Sequence, residues 1–491
     1  MKKREDKFNF PDDGTKLTFD DVFLLINEKS TIHSRRNIDL SVKIKNLKLN
    51  LPILGANMST VMDGNFAKYL ALMGGIGVIH QNYEIQEQIY QINKVKKYAS
   101  PIISDPISIS SDTIVKDIKN IFEEYSIGAL IVSDNNNLKG IITKRDINSA
   151  DSDNDCASDL MTKFDDLFYI ESNDLNIDLE IGEKKLKKSK VEQLAILNSE
   201  KKLIGLFTKK GLDFYKTFPN SARDNFGRLV VAAALGINRD PIDRTSLLVS
   251  QGVDMIVFDT AHGYNDRFIK VLRKIRNNFP NILLTAGNID NPKAAIEFAK
   301  EGADILKVGI GPGGACKTRI QTGFGKPQLS AIWEIRQALD KKGFNNVKII
   351  ADGGIKEAGN LAKAIAVGAD FGMMGSIFAG TDKAVGQLRN IDGKLYKDYR
   401  GMASFKESLK ANKLSGFQSN NYGPIFDEGA DDIVPYKGDG SFFEIIRKFH
   451  GALASSLSYA NSNNLKEFYE KTIFGKQTIN GNIEGTPWKF G

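Results

Sequence analysis

The sequence predicts an α/β protein, a closed (β/α)8 barrel with a smaller domain inserted into it. Three observations carry this. Eight short apolar runs recur, most of them separated by segments of helical period. The alternation breaks between about Pro101 and Pro219, and inside the break one twelve-residue pattern occurs twice. Alternating strands and helices imply parallel βα units, and about eight such units suggest a closed barrel rather than an open sheet.

The runs follow in order. LPILGANM (51–58) and GIGVIH (75–80) precede the break. LVVAAALG (229–236), DMIVFDTA (254–261), NILLTAGN (281–288), DILKVGIG (304–311), VKIIADGG (347–354) and FGMMGSIF (371–378) come after it. Amphipathic stretches such as NDRFIKVLRKIRNNF lie between them. In the break, NNLKGIITKRDI (136–147) lines up with KKLIGLFTKKGL (201–212), so that Leu138, Gly140, Thr143 and Lys144 recur as Leu203, Gly205, Thr208 and Lys209. An apolar strand, ALIVSD or LAILNS, precedes each copy. Two copies of one small βαβ-like unit read as an insertion in a βα loop, which adds a lobe without opening the barrel. The expected division is 1–100 and 220–491 for the barrel, with 101–219 inserted. After about Thr381 the alternation is lost. A polar, Gly-rich stretch, about 382–440, reads as a long mobile flap near the site.

The 491 residues are 41% apolar and 26% charged, ordinary globular composition with room for more than one domain. The net charge of +7 is scattered, apart from KKLKKSK at Lys184–Lys190, so a solvated surface or an anionic small substrate fits better than a nucleic-acid track. MKKREDKFNF has no apolar core of a signal peptide, and no run approaches the ~18 apolar residues of a spanning helix. Two cysteines, Cys156 and Cys316, cannot build a disulfide framework or a four-thiolate zinc site. A cytoplasmic, reducing setting follows as the expectation.

The chemistry is expected in the loops after the strands, the face on which such barrels carry their sites. Cys316 lies in GIGPGGACKTR, a few residues after the sixth run, among glycines rather than core residues. Exposed backbone N–H groups there, with Lys317 and Arg319 nearby, suit an accessible nucleophile, and Thr318 is close enough to hydrogen-bond the thiol. Cys156 fits a small buried apolar residue. Asp352, ending the seventh run, suits a ribose diol. Gly353 and Gly354 after it, with Gly375 and Ser376 after the eighth, form tandem turns suited to a phosphate. Asp259, ending the fourth run, suits a cofactor ribose or amide, or else caps the following helix. His80 and His262 read as structural histidines before general acids.

Together, GIGPGGACKTR, ADGGI…GMMGSIFAGT, DTAHGY, YRGM, Glu428–Gly429, VPYKG, LTFDDVFLL and GGIGVIH resemble the IMP dehydrogenase/GMP reductase family over nearly the whole chain. The resemblance implies a TIM barrel whose inserted repeat is a pair of CBS modules (a Bateman domain) that bind adenine or guanine nucleotides. It implies that Cys316 attacks purine C2 to give a covalent thioimidate, with Thr318 and Glu428 as proton relay. It implies that Asp352, Gly353, Gly354, Gly375, Ser376, Tyr399, Gly401, Met402 and Met58 bind the purine nucleotide. Asp259, Gly309 and Gly311 would face NADP or NAD, and carbonyls around Gly311, Gly313 and Cys316 a monovalent cation such as K+. Homotetramers, or octamers through the lobe, are also implied. Gly314 departs from the family, which usually has a serine on the phosphate there.

The family runs two reactions through one thioimidate. A dehydrogenase oxidises IMP with NAD and hydrolyses the adduct to XMP; a reductase expels ammonia from GMP and takes hydride from NADPH. Dehydrogenases carry an Arg-Tyr pair on the flap, the arginine activating water. Met402 to Pro435 holds no arginine, and Ser415-Gly416 stands where the pair should fall. Lys410 or Lys413 is a poor substitute. Asn57 in GANMST and the HGYNDRF stretch also resemble reductases, whereas a CBS pair is commoner in dehydrogenases. GMP reductase is therefore expected ahead of IMP dehydrogenase. A nucleotide-binding regulator without turnover is the remaining class, and an intact Cys316, Thr318, Asp259 and Glu428 argue against it.

Overall fold

The computed structural model describes residues 14–98, 100–104, 106–124, 127–135, 137–175, 177–414 and 427–485. Eight parallel strands close into a barrel in chain order: β1 (Ile53–Gly55), β2 (Ile76–Ile79), β3 (Ala232–Leu235), β4 (Met255–Phe258), β5 (Leu283–Ile289), β6 (Ile305–Val308), β7 (Lys348–Asp352) and β8 (Phe371–Met374), with β8 beside β1. Seven lie within the apolar runs, and β5 passes the end of its own by one residue. Parallel strands covered on both faces need apolar side chains throughout, so they read as unbroken runs. Ala232, Ala233, Ala234 and Leu235 of β3 are all fully buried.

Helices cover the strands, and α1 (Asp266–Asn278) shows how. Asn265 caps it, accepting the Phe268 N–H at 3.0 Å. Phe268, Leu272 and Ile275 recur at helical spacing and are fully buried, each burial stabilising by roughly 1.5–3 kcal/mol. The Phe268 ring sits 4.9 Å from both Phe258 of β4 and Phe298 of the next helix, Pro292–Lys300.

The chain divides into two compact units. One holds the barrel up to Lys96, Asn220–Asp224, and the chain from Leu229 on; the other is Lys97–Pro219 with Asn225–Arg228. Where the barrel chain breaks off, the Lys96 ammonium is buried between Asp254 Oδ2 at 2.7 Å and Asp224 Oδ2 at 3.0 Å. Asp254 Oδ2 also accepts the Val231 N–H at 2.7 Å. This cluster ties both ends of the interruption to the barrel wall. Lys96→Met leaves two largely buried carboxylates without this ammonium. It is expected to cost about 3–5 kcal/mol, read as a lowered urea midpoint of the barrel transition.

The second unit contains two four-stranded sheets of the same build. In one, Ser108–Ile109 pairs parallel with Ala129–Asp134 across the helix Val115–Glu124, then Asn137–Thr143 pairs antiparallel and leads into the helix Lys144–Asn148. In the other, Tyr169–Glu171, Leu179–Ser189, Gln193–Leu197, Leu203–Thr208 and Lys209–Thr217 repeat that order. The recurring residues have physical reasons. Thr143 and Thr208 each stand at the N-cap of the following helix. A side chain at Gly140 or Gly205 would strike the carbonyl of Thr162 or Ile103 on the neighbouring strand.

The expectation that strands are lost over 382–440 needs correction in its described part: β9 (Leu388–Ile391), β10 (Lys394–Arg400) and β11 (Asp431–Pro435) form an antiparallel sheet, and Phe405–Leu414 is helical. The β9–β10 turn is Asp392-Gly393, with φ of 50° and 79°. Two left-handed residues are what a two-residue hairpin needs, so the Asp-Gly pair is the local signal for this hairpin. Ser415-Gly416 lies outside the described residues. Cys156 is half-buried at a helix start rather than buried in a core. No helix among the described residues is long and apolar enough to cross a membrane.

Candidate active site

One cavity of about 420 Å3 opens at the C-terminal ends of the barrel strands. All the residues expected at the site line it: Cys316 with Thr318 and Glu428 on one side, the turns Gly353–Gly354 and Gly375–Ser376, then Met58, Asp259, Asp352, Gly309, Gly311 and Gly313. Tyr399, Gly401 and Met402 close it from the end of β10.

Cys316 is exposed. Its Sγ donates to Thr318 Oγ1 at 3.2 Å, and Thr318 Oγ1 donates to Glu428 Oε2 at 2.8 Å. The chain of donors runs one way, from thiol to hydroxyl to carboxylate, so it can carry the thiol proton to Glu428. Glu428 is 110 residues from Thr318, and the backbone brings them together. Cys316 and Gly429 form an antiparallel bridge, Lys317 N–H donates to the Glu428 carbonyl at 2.7 Å, and Ala430 N–H to that of Ala315 at 2.8 Å.

The two cations beside the cysteine do not attend the thiol. Lys317 pairs with Asp427 at 3.0 Å. The Arg319 guanidinium donates to the carbonyls of Ile310, at 3.2 Å, and Lys326, bracing the loop from behind. The loop is thus a held turn, not the mobile setting its glycines suggest. Gly309 is required: its φ is 145°, and a side chain there would run into the Asp352 carbonyl.

Asp352 Oδ2 accepts from Asn288 Nδ2 at 2.8 Å and from the buried Lys307 ammonium at 3.4 Å, which fixes the carboxylate. Lys307 also donates to Asn288 Oδ1. Tyr399 is buried and hydrogen-bonded with Ser376; burial, with Asp352 adding to it, pushes its phenol up to about 12, so it stays neutral. A side chain at Gly314 would point at Ser376 and the Tyr399 hydroxyl, the two groups that occupy that wall instead.

Asp259 Oδ2 accepts from Gln81 Nε2 at 3.0 Å. It caps nothing, because the following helix is capped by Asn265. His262 is exposed. His80 is buried 3.9 Å from the Tyr83 ring; burial, helped by Lys410 and Arg244, pushes it down to about 3, and its Nδ1 has no hydrogen-bond partner among the described residues. It is therefore a neutral structural ring, short of full satisfaction. Lys410 lies over the Tyr83 ring at 5.4 Å, and Lys413 is exposed; from their helix it is Ser408 and Ala411 that line the cavity.

Gln81, Asn82, Asn288 and Lys307 also line the cavity and were not singled out from sequence. Two signals pointed to them. Gln81 and Asn82 come two and three residues after β2 on the functional face, and Lys307 is a lone charge inside an apolar barrel strand.

The family described as the IMP dehydrogenase / GMP reductase domain matches residues 16–488. An inosine-5'-monophosphate dehydrogenase of Methanocaldococcus jannaschii is 40% identical over 481 residues, 96% of this chain and 94% of that protein. That of Bacillus subtilis is 38% identical over 475 residues, 96% of this chain and 95% of its own. Among solved structures, a Trypanosoma brucei GMP reductase variant in complex with guanosine 5'-monophosphate superposes with a TM-score of 0.86 at 31% identity, covering 97% of this chain and 98% of that one. The T. brucei GMP reductase in complex with guanosine 5'-triphosphate gives a TM-score of 0.74 at 29% identity, covering 94% and 98%.

Proposed function

The chain belongs to the IMP dehydrogenase/GMP reductase family and is a purine-nucleotide oxidoreductase; from that premise we propose that it is a GMP reductase. The observation that carries the choice is the missing water-activating group. No arginine occurs from Met402 to Pro435, and the described flap helix offers the cavity a serine and an alanine. Glu428, by contrast, is poised through Thr318 at the thiol, as loss of an amine requires.

In this reading the nucleotide's phosphate lies on the turns at Gly353–Gly354 and Gly375–Ser376, with Tyr399 as a neutral donor. Asp352, Gly401, Met402 and Met58 hold the ribose and base. Cys316 Sγ forms a bond to C2, and its proton passes through Thr318 to Glu428. Glu428 returns a proton along the same path to the departing amine, which leaves as ammonia. NADPH, when bound, supplies a hydride to C2. The C2–S bond then breaks, its electrons return to sulfur, and IMP is released. Asp259 and Gln81, with Gly309 and Gly311, present the acceptors and donors a nicotinamide dinucleotide needs on the remaining wall. Carbonyls of Gly311, Gly313 and Cys316 would hold a monovalent cation. The Gly313 oxygen already accepts the Cys316 N–H at 3.0 Å, so a cation there would use its second lone pair.

The inserted unit is proposed to be a CBS pair for an adenine or guanine nucleotide effector; the guanosine 5'-triphosphate complex of the trypanosomal enzyme supports that ligand class. A cytoplasmic homotetramer or octamer completes the proposal.

The second reading, IMP dehydrogenase, is favoured by the names of the 36–40% identical relatives. Purified protein given GMP with NADPH, and separately IMP with NAD, decides between them. NADPH loss that depends on GMP is expected; XMP formation without it would overturn the choice.

A further inference from the structure

Glu407 has no part in the chemistry above, yet it is a carboxylate only 4% exposed. Its Oε1 accepts from Ser59 Oγ at 2.6 Å, and its Oε2 from Asn82 Nδ2 at 2.8 Å. Ser59 lies just after β1 and Asn82 just after β2, so one side chain spans two adjacent loops at the barrel mouth. Glu407 sits in the helix Phe405–Leu414, whose Lys410 and Ala411 follow at i+3 and i+4 on the same face. Lys410 meets Tyr83 of the loop after β2, while Ala411 lines the cavity. Burying a carboxylate is tolerated only where donors meet it, so this helix has one seat.

The seat lies on one side of the cavity. Asn82 is next to Gln81, which holds Asp259, and both line the cavity beyond β2, two strands round the barrel from β8 and three from β7, which carry the phosphate turns. We propose that Glu407 is a positioning residue. It anchors the flap helix to the β1 and β2 loops and thereby builds the Gln81–Asp259 side of the cavity, which the dinucleotide would occupy, without touching the phosphate turns. The assignment of that wall to the dinucleotide rests on the function proposed above; the anchoring does not.

The test compares wild type with Glu407→Ala, Glu407→Gln and Ser59→Ala. It follows hydrogen exchange of Phe405–Leu414, calorimetric affinity for GMP, and KM for NADPH. In Glu407→Ala, helix exchange and NADPH KM are expected to rise about tenfold or more, while GMP affinity moves less than about threefold. Glu407→Gln, which keeps one acceptor, and Ser59→Ala, which removes one donor, are expected to fall between. Unchanged helix exchange in Glu407→Ala overturns the anchor. Parallel losses of GMP affinity and NADPH KM overturn its one-sided role. Should Glu407→Ala not fold, the two milder variants are judged by the same criteria. If wild type oxidises IMP with NAD instead, the reductase reading falls, and the anchor is read from that pair. If neither pair turns over, helix exchange alone still decides it.

Discussion

Cys316→Ala is expected to lower kcat on the order of 10^4-fold or more, with purine-nucleotide affinity held within about threefold. In the proposed mechanism the thiol forms the bond to C2, and without that bond the reaction does not begin. The phosphate turns, Asp352 and Tyr399 are untouched by the change, so binding survives. Turnover by steady-state assay and affinity by calorimetry read the two quantities apart. The result also separates an enzyme from a regulator that only binds. Activity within tenfold of wild type would remove the covalent mechanism altogether.

Glu428→Gln is expected to lower kcat by about 10^2- to 10^3-fold, the range general acid–base catalysis contributes. Glutamine keeps the length and can still meet Thr318 Oγ1, but it cannot take up a proton. The donor chain from Cys316 then has no terminus. GMP affinity and labelling of Cys316 by iodoacetamide should persist, because neither needs the relay to turn over. A variant that retained a third of wild-type kcat would show that the proton travels elsewhere, and the 2.8 Å contact would be packing only.

What the sequence made legible follows from what depends on local pattern. The eight barrel strands were visible because a strand buried on both faces must be apolar along its length, as β3 is. Cys316 and the glycine pairs stood out because thiols and consecutive glycines are chemically unusual. The residues that escaped are ordinary polar ones whose meaning is a meeting in space. Lys307 matters through Asp352, Gln81 through Asp259, and Glu407 through Ser59 and Asn82, partners 45 to 348 residues away. The flap misled for another reason. Its strand β9 is exposed throughout and β11 has no buried residue, so they lack the apolar signature, and only the Asp392-Gly393 turn announced them.

The bridge between Cys316 and Gly429 also bears on how such a protein can change. Because Gly401 N–H bonds the Ala430 carbonyl at 2.8 Å and Ala430 N–H bonds that of Ala315, both ends of residues 402–428 are stitched to the cysteine turn. The spacing of nucleophile and relay is set at those stitches. A change of sequence between Leu414 and Asp427 therefore need not disturb that spacing, so a water-activating group could be gained or lost there with the thiol and its carboxylate still in register.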